Sequence, residues 1–202
     1  MRKEKVFYFS LIILLLVAFA ASTLLFFNQT ISGSWQEVVS KEGNFSVLMP
    51  GTPVEKILTP ITANGPLRIE TFYFENTINK YFRQIFVAAT QDVAEQIRRG
   101  RTLQQRLDDG VNGLFLYRKG KIISQREILT SGFQGREVLF RQTVPGNQDA
   151  QYLYRVFEAR NRCYQLAYGE HGQYPFLKKI NSNQAHKFFD SFKLLSSEKN
   201  TE

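Results

Sequence analysis

Cys163 and the two histidines, His171 and His186, are the residues from which this chain could build a thiol–imidazole pair. Cys163 opens a stretch rich in apolar and aromatic residues, where a free cysteine serves as a small apolar side chain. His171 stands in Gly169-Glu170-His171-Gly172, which reads as a polar turn, and Glu170 beside it leaves any metal site short of a third ligand. His186 falls on the solvent side of a C-terminal helical pattern. Paired carboxylates give no acid–base couple. Asp108 and Asp109 are adjacent in a helical stretch and cannot share one face. Glu127 and Glu137 could approach across neighbouring strands, but Arg126, Arg136 and Arg141 lie close enough to turn them into salt bridges. Phosphate loops, dinucleotide glycines, nucleophile elbows and kinase signatures are all absent from the sequence. The expectation is a non-catalytic chain with no catalytic, cofactor or metal residue.

The strongest polar feature is basic. Arg98, Arg99, Arg101 and Arg106 crowd one helical segment, and Arg118, Lys119 and Lys121 follow. A second group is Arg155, Arg160 and Arg162. Such residues attract anionic lipid headgroups or an acidic protein, so Arg98, Arg99, Arg101 and Arg106 are the candidate partner contacts. The plain alternative is a solvated helix face.

These groups have to be positioned by an α+β domain. Trp35–Val39, Phe45–Met49 and Val54–Ile61 read as strands separated by Lys41-Glu42-Gly43-Asn44 and Pro50-Gly51-Thr52-Pro53. Leu67–Phe74 and Tyr81–Ala89 read as a hairpin closed by Glu75 to Asn79. The period then changes. Val93, Ile97, Leu103, Leu107, Val111 and Leu114 mark one helix stripe, with Asp92 as its N-cap or first-turn acid and Gly100 and Gly110 able to divide it. Ile122–Leu129, Arg136–Val144, Tyr152–Ala159 and Cys163–Tyr168 form a run of four strands, whose short links require antiparallel neighbours. Both faces of these strands carry apolar residues, so layers should cover both sides of the sheet. From Asn183 a final helix places Ala185, Phe188, Phe189 and Phe192 on one stripe, closed by Leu194 and Leu195.

The whole chain has 202 residues, one Cys, two His and a net charge of +8. One cysteine excludes an intrachain disulfide, and an aromatic fraction of 14% argues against disorder. Residues 1–27 stand apart. Val6 to Phe27 carries no charge and, as a helix, would span about 33 Å. Arg2, Lys3 and Lys5 precede it, which keeps the N-terminus cytoplasmic and the domain on the far side. The run is longer than a signal-peptide core, so an uncleaved anchor is expected over 1–27; cleavage after Ala18-Phe19-Ala20 is the rival. A short linker over 28–34, one domain over 35–195 and a polar tail over 196–202 complete the organisation. A domain so placed does not meet nucleic acid.

Phe45-Ser46-Val47-Leu48-Met49-Pro50-Gly51-Thr52-Pro53 resembles the opening of domains in the PsbP-like/Mog-like group. Gly135-Arg136-Glu137, the Arg155 strand, Asn161-Arg162-Cys163-Tyr164-Gln165-Leu166 and Phe188-Phe189-Asp190-Ser191-Phe192 fit the same pattern. The resemblance runs from Trp35 to Leu195. It implies an α/β/α sandwich around an antiparallel sheet and a mostly non-enzymatic group. Photosynthetic members are lumenal and assist photosystem assembly or water oxidation; the Mog branch binds a small GTPase. The resulting expectation is a membrane-anchored module in the periplasm or thylakoid lumen that binds or helps assemble a membrane protein complex. An extracytoplasmic hydrolase without a recognised motif, or a small-molecule or lipid carrier, remains open as an alternative.

Overall fold

The computed structural model describes residues 34–62, 65–118, 120–144, 148–172, 180 and 182–196. The anchor expected over 1–27 and nearly all of the linker lie outside these, as does the tail from 197. Among the described residues no helix is long and apolar enough to cross a membrane.

The strands are β1 (Gln36–Ser40), β2 (Phe45–Met49), β3 (Val54–Leu58), β4 (Ile61–Thr62), β5 (Gly65–Pro66), β6 (Ile69–Asn79) and β7 (Phe82–Asp92). Two helices, α1 (Glu95–Gly100) and α2 (Leu103–Arg118), lead to β8 (Lys121–Thr130), β9 (Phe133–Val144), β10 (Gln148–Ala159) and β11 (Arg162–Gly172). Helix α3 (Ser182–Asp190) and β12 (Lys193–Leu194) follow. Seven strands form one antiparallel sheet in the order β3-β6-β7-β11-β10-β9-β8, while β1-β2-β12 make a small separate sheet.

The register shows why both faces of the large sheet are apolar. Ile85, Val87, Val138, Phe140, Tyr152, Tyr154 and Val156 turn to one face and pack under Leu107 and Val111 of α2. Phe72, Phe74, Phe86, Phe157, Tyr164 and Tyr168 turn to the other, against the small sheet and Phe188, Phe189 and Phe192. The fold is thus a mostly-β α+β domain with both sides covered. The second side is not a plain helical layer, however: α3 shares it with β1, β2 and β12.

Two-residue turns close the hairpins where the chain tolerates left-handed backbone. Ser131 and Gly132 have φ of 50° and 82°, and Arg160 and Asn161 have 51° and 65°. This geometry matches strand twist and fixes each register.

Several expectations change. The helix stripe divides directly after Gly100, at Arg101 and Thr102, as that glycine allowed, whereas Gly110 lies within an unbroken α2. Thr102 Oγ1 accepts from Gln105 N at 3.2 Å while Gln105 Oε1 accepts from Thr102 N at 2.9 Å, a reciprocal cap that starts α2 afresh. Asp92 does not cap α1. It ends β7 and pairs with Arg162 at 3.0 Å, leaving Ala94 at the N-cap without a side-chain bond. Glu75 to Asn79 is not a turn, because β6 continues through it to Asn79, whose Oδ1 accepts from Tyr81 N at 2.8 Å. Glu170 and His171 lie within β11 and are buried, since β7 and β10 flank that strand up to Gly172. Leu194 forms β12 against Phe45 of β2.

The β1–β2 turn docks on the large sheet through an acid. Ser40 Oγ donates to Glu70 Oε2 at 2.5 Å and accepts from Gly43 N at 2.6 Å. Burial raises the Glu70 carboxyl above its ordinary 4.5; the Ser40 bond opposes this and Glu55 adds to it. A carboxyl raised in the folded state binds its proton more tightly there than in the unfolded chain. Its stabilising contribution is therefore complete below the unfolded value and lost as pH rises through the folded one. Glu70→Gln should melt at a higher temperature than the wild type at pH 8, with the gap closing as pH falls into the acid range. Parallel melting curves at every pH would refute this.

Candidate interaction surface

The four arginines expected to meet a partner are held very differently. Arg99 is 79% exposed and pairs with Glu95 one turn away. Arg98 donates to Asn161 Oδ1 at 2.7 Å, and Val93 N donates to Asn161 O at 2.9 Å. Helix α1 thereby sits against the β10–β11 turn, while Arg160 of that turn donates to Leu195 O at 2.6 Å. Arg101 pairs with Asp109 at 2.5 Å. Arg106 points inward: its side chain is 12% exposed, grips Glu158 with bonds of 2.6–3.0 Å and donates to Arg101 O at 2.6 Å. A molecule approaching this helix pair meets Arg99 first, with Arg98 half-buried behind it. Arg155 does not join them, because it is buried on the opposite face.

There it forms an ionic cluster that strand alternation alone did not reveal. Arg155 Nε donates to Glu137 Oε2 at 2.6 Å, and Arg126 contacts Glu137 Oε1 at 2.6 Å. Asp190 lies 3.4 Å from Arg155, whose guanidinium stacks 4.5 Å above the Phe189 ring. The register Arg155↔Glu137↔Arg126 across β10, β9 and β8 brings three charges into line. Glu127 is one residue from Arg126 and so faces the other way, where it meets Arg136 at 3.2 Å. Glu127 and Glu137 thus belong to separate ion pairs on opposite faces.

Cys163 and His171 share a face of β11 but stand eight positions apart, about 26 Å along a strand. They cannot pair. Burial, with help from Glu158, pushes the Cys163 thiol up to about 12. The native thiol should resist an aromatic disulfide reagent at pH 8 and react only as fast as the domain opens; rapid native labelling would contradict this. The buried His171 shares a hydrogen bond from its Nε2 with the Tyr152 hydroxyl. His186 is half exposed on α3, 3.8 Å from Asp190. Among the described residues no cluster of His, Cys, Asp and Glu could hold a metal ion.

A cleft of about 300 Å³ opens where the start of α2 meets the β8–β9 hairpin. Gln104, Glu127, Leu129, Gln134 and Arg136 line it. Its floor is Gly135, where a Cβ would lie 2.5 Å from Val156 O, so only glycine lets β9 approach β10 this closely. Arg136 is buried, donates from Nε to Asp108 at 3.0 Å and also bonds Gln104. Its Nη1 makes no hydrogen bond among the described residues, although Glu127 lies within ion-pair distance. Leu129 of β8, at the cleft, is 73% exposed, and Ile122 and Ile123 at the far end of the same strand are exposed large apolar residues too. Composition could not flag this edge, because nothing in β8 itself shows that it lies outermost.

No family model and no curated protein matches the sequence. Among solved structures, the chain is similar to cyanobacterial PsbP (CyanoP) from Synechocystis sp. PCC 6803. The TM-score is 0.53 at 11% identity, covering 85% of this chain and 99% of that one. It is also similar to PA94, a protein of unknown function from Pseudomonas aeruginosa, with a TM-score of 0.43 at 12% identity, covering 68% of this chain and 95% of that one. The fold is therefore PsbP-like.

Proposed function

We propose that the chain is a non-catalytic binding module that helps assemble a membrane protein complex, held at the outer face of the membrane by residues 1–27. The observation that carries this reading is the PsbP-like fold, shared with CyanoP over nearly that protein's whole length. The disposition of charge supports it. Cys163 is remote from His171, and Arg106, Arg136 and Arg155 are committed to carboxylates inside the domain. What faces outward is Arg99 of α1 and the exposed residues along the edge strand β8.

The test is purification of the tagged full-length protein from its own membranes in mild detergent, at low and moderate salt. A reproducible set of membrane proteins, lost as salt rises, is the expected result. A chain that purifies alone would refute the reading. Within that experiment, reversing Arg98 and Arg99 to Glu should strip the companions already at low salt, since the helix would then repel an acidic surface. Unchanged retention would remove α1 from the contact.

A further inference from the structure

Strand β8 pairs with β9 on one side, and among the described residues nothing pairs with its other side. Half of its backbone N–H and C=O groups therefore point out of the sheet, an arrangement that invites another strand unless it is blunted. The first part is blunted. The register slips between Ile122 and Ser124, a bulge that bends an edge away from pairing. From Ser124 to Thr130 the pairing is regular, and this part keeps an open edge.

The side chains along it alternate. Gln125, Glu127 and Leu129 turn to the face that carries α2 and the cleft, whereas Arg126 and Ile128 turn to the other. Glu127 is 78% exposed and Arg126 is 65% exposed. On the cleft side Asp108 and Glu127 outnumber Arg136, which leaves a residual negative charge. An added strand would complement this pattern with a basic residue toward Glu127, an acidic one beside it toward Arg126, and an apolar residue against Leu129.

We propose that Ser124–Thr130 accepts an extended segment of a partner protein as an additional antiparallel strand, with a Lys or Arg directed at Glu127 over the cleft. The inference rests on the binding-module reading and names its contact. In this mode the backbone bonds give affinity and side-chain pockets give selectivity. A second copy of this chain is the poorer occupant. Two-fold pairing of β8 centred on Arg126 or on Glu127 sets like charges face to face, and pairing centred on Gln125 sets the bulge against Arg126 to Ile128. Pairing centred on Ile128 leaves Glu127 and Arg126 opposite Leu129 and Thr130 with no opposite charge and runs into the Ser131-Gly132 turn.

A labelled peptide as long as β8, ten residues, tests this on the full-length protein in detergent. The probe has Val at the odd positions and Thr at the even ones, except for an adjacent Lys–Glu pair at the centre, Lys in the Val series. It should bind the wild type and protect the β8 amides from deuterium exchange. Leu129→Lys should weaken binding about tenfold, equivalent to about 1.4 kcal/mol. Glu127→Lys should prefer the probe in which Lys and Glu are exchanged. Both positions are solvent-facing, so both variants should fold. Absence of binding, equal binding by all three proteins, protection of β3 instead of β8, or a stable β8-to-β8 dimer would each overturn the inference. The two proposals fail separately. A native membrane complex indifferent to Leu129→Lys and Glu127→Lys overturns this contact and leaves the module standing, whereas a wild-type chain that purifies alone overturns both.

Discussion

Phe86→Ala should destabilise the domain by about 3–5 kcal/mol, near the upper end for a single core truncation. Phe86 is fully buried at the centre of the face opposite α2. Its ring centroid lies 5.7 Å from Trp35, 6.2 Å from Phe74, 5.0 Å from Tyr168 and 5.6 Å from Phe188. Those rings come from the segment ahead of β1, from β6, from β11 and from α3. Three are edge-on, a geometry that adds about 0.5–1.5 kcal/mol per pair beyond area burial. Because the neighbours hang from four separate elements, no single movement can refill the space, and the cavity term should remain nearly whole. Urea unfolding would measure this, with Phe86→Leu as a milder companion. A loss below about 1 kcal/mol would show that the layers close over the gap.

Arg155→Met should be comparably damaging, at about 3–5 kcal/mol, because it leaves a carboxylate buried with too little compensation. Glu137 is 7% exposed, and its remaining partner would be Arg126, which is largely in solvent. Phe189 would also lose the guanidinium stacked on its ring. The double variant Arg155→Met with Glu137→Leu should recover most of the loss, since exchanging a whole buried pair for apolar groups is close to neutral. The comparison separates the penalty of an orphaned charge from the worth of the pair. Equal stability of the single and double variants would show that Arg126 or solvent satisfies Glu137 alone.

Both predictions concern contacts between segments far apart in sequence, and that is where sequence reading and structure part. Local signals were largely legible. Phe45–Met49 is a strand with the expected ends, the runs from Ile122 onward are antiparallel neighbours, and Ala185, Phe188, Phe189 and Phe192 do form one buried stripe. Strand period, helix period and turn chemistry are properties of a few consecutive residues, so they survive without knowledge of the fold. One local signal was present but unread: Thr102 followed by Gln105 is a capping pair, and it marks where the long stripe divides.

Other features were not in any local stretch. Glu170 and His171 have the composition of a turn, yet they are buried because β7, about eighty residues upstream, flanks β11 through His171↔Arg83. Arg106 looks like its exposed neighbours but reaches down from α2 to Glu158 of β10. Arg155 appears basic and outward until the β9–β10 register sets Glu137 opposite it. The α+β class, the antiparallel strand runs, the apolar stripes and the absence of a recognised catalytic motif were all legible in the chain before folding. It took the assembled sheet to show which charges are spent inside, that β8 is an open edge among the described residues, and that its exposed Leu129 borders a cleft. The reason is physical: a charge's partner and a strand's place in the sheet depend on registers accumulated across several strands, whereas periodicity and turn chemistry are written residue by residue.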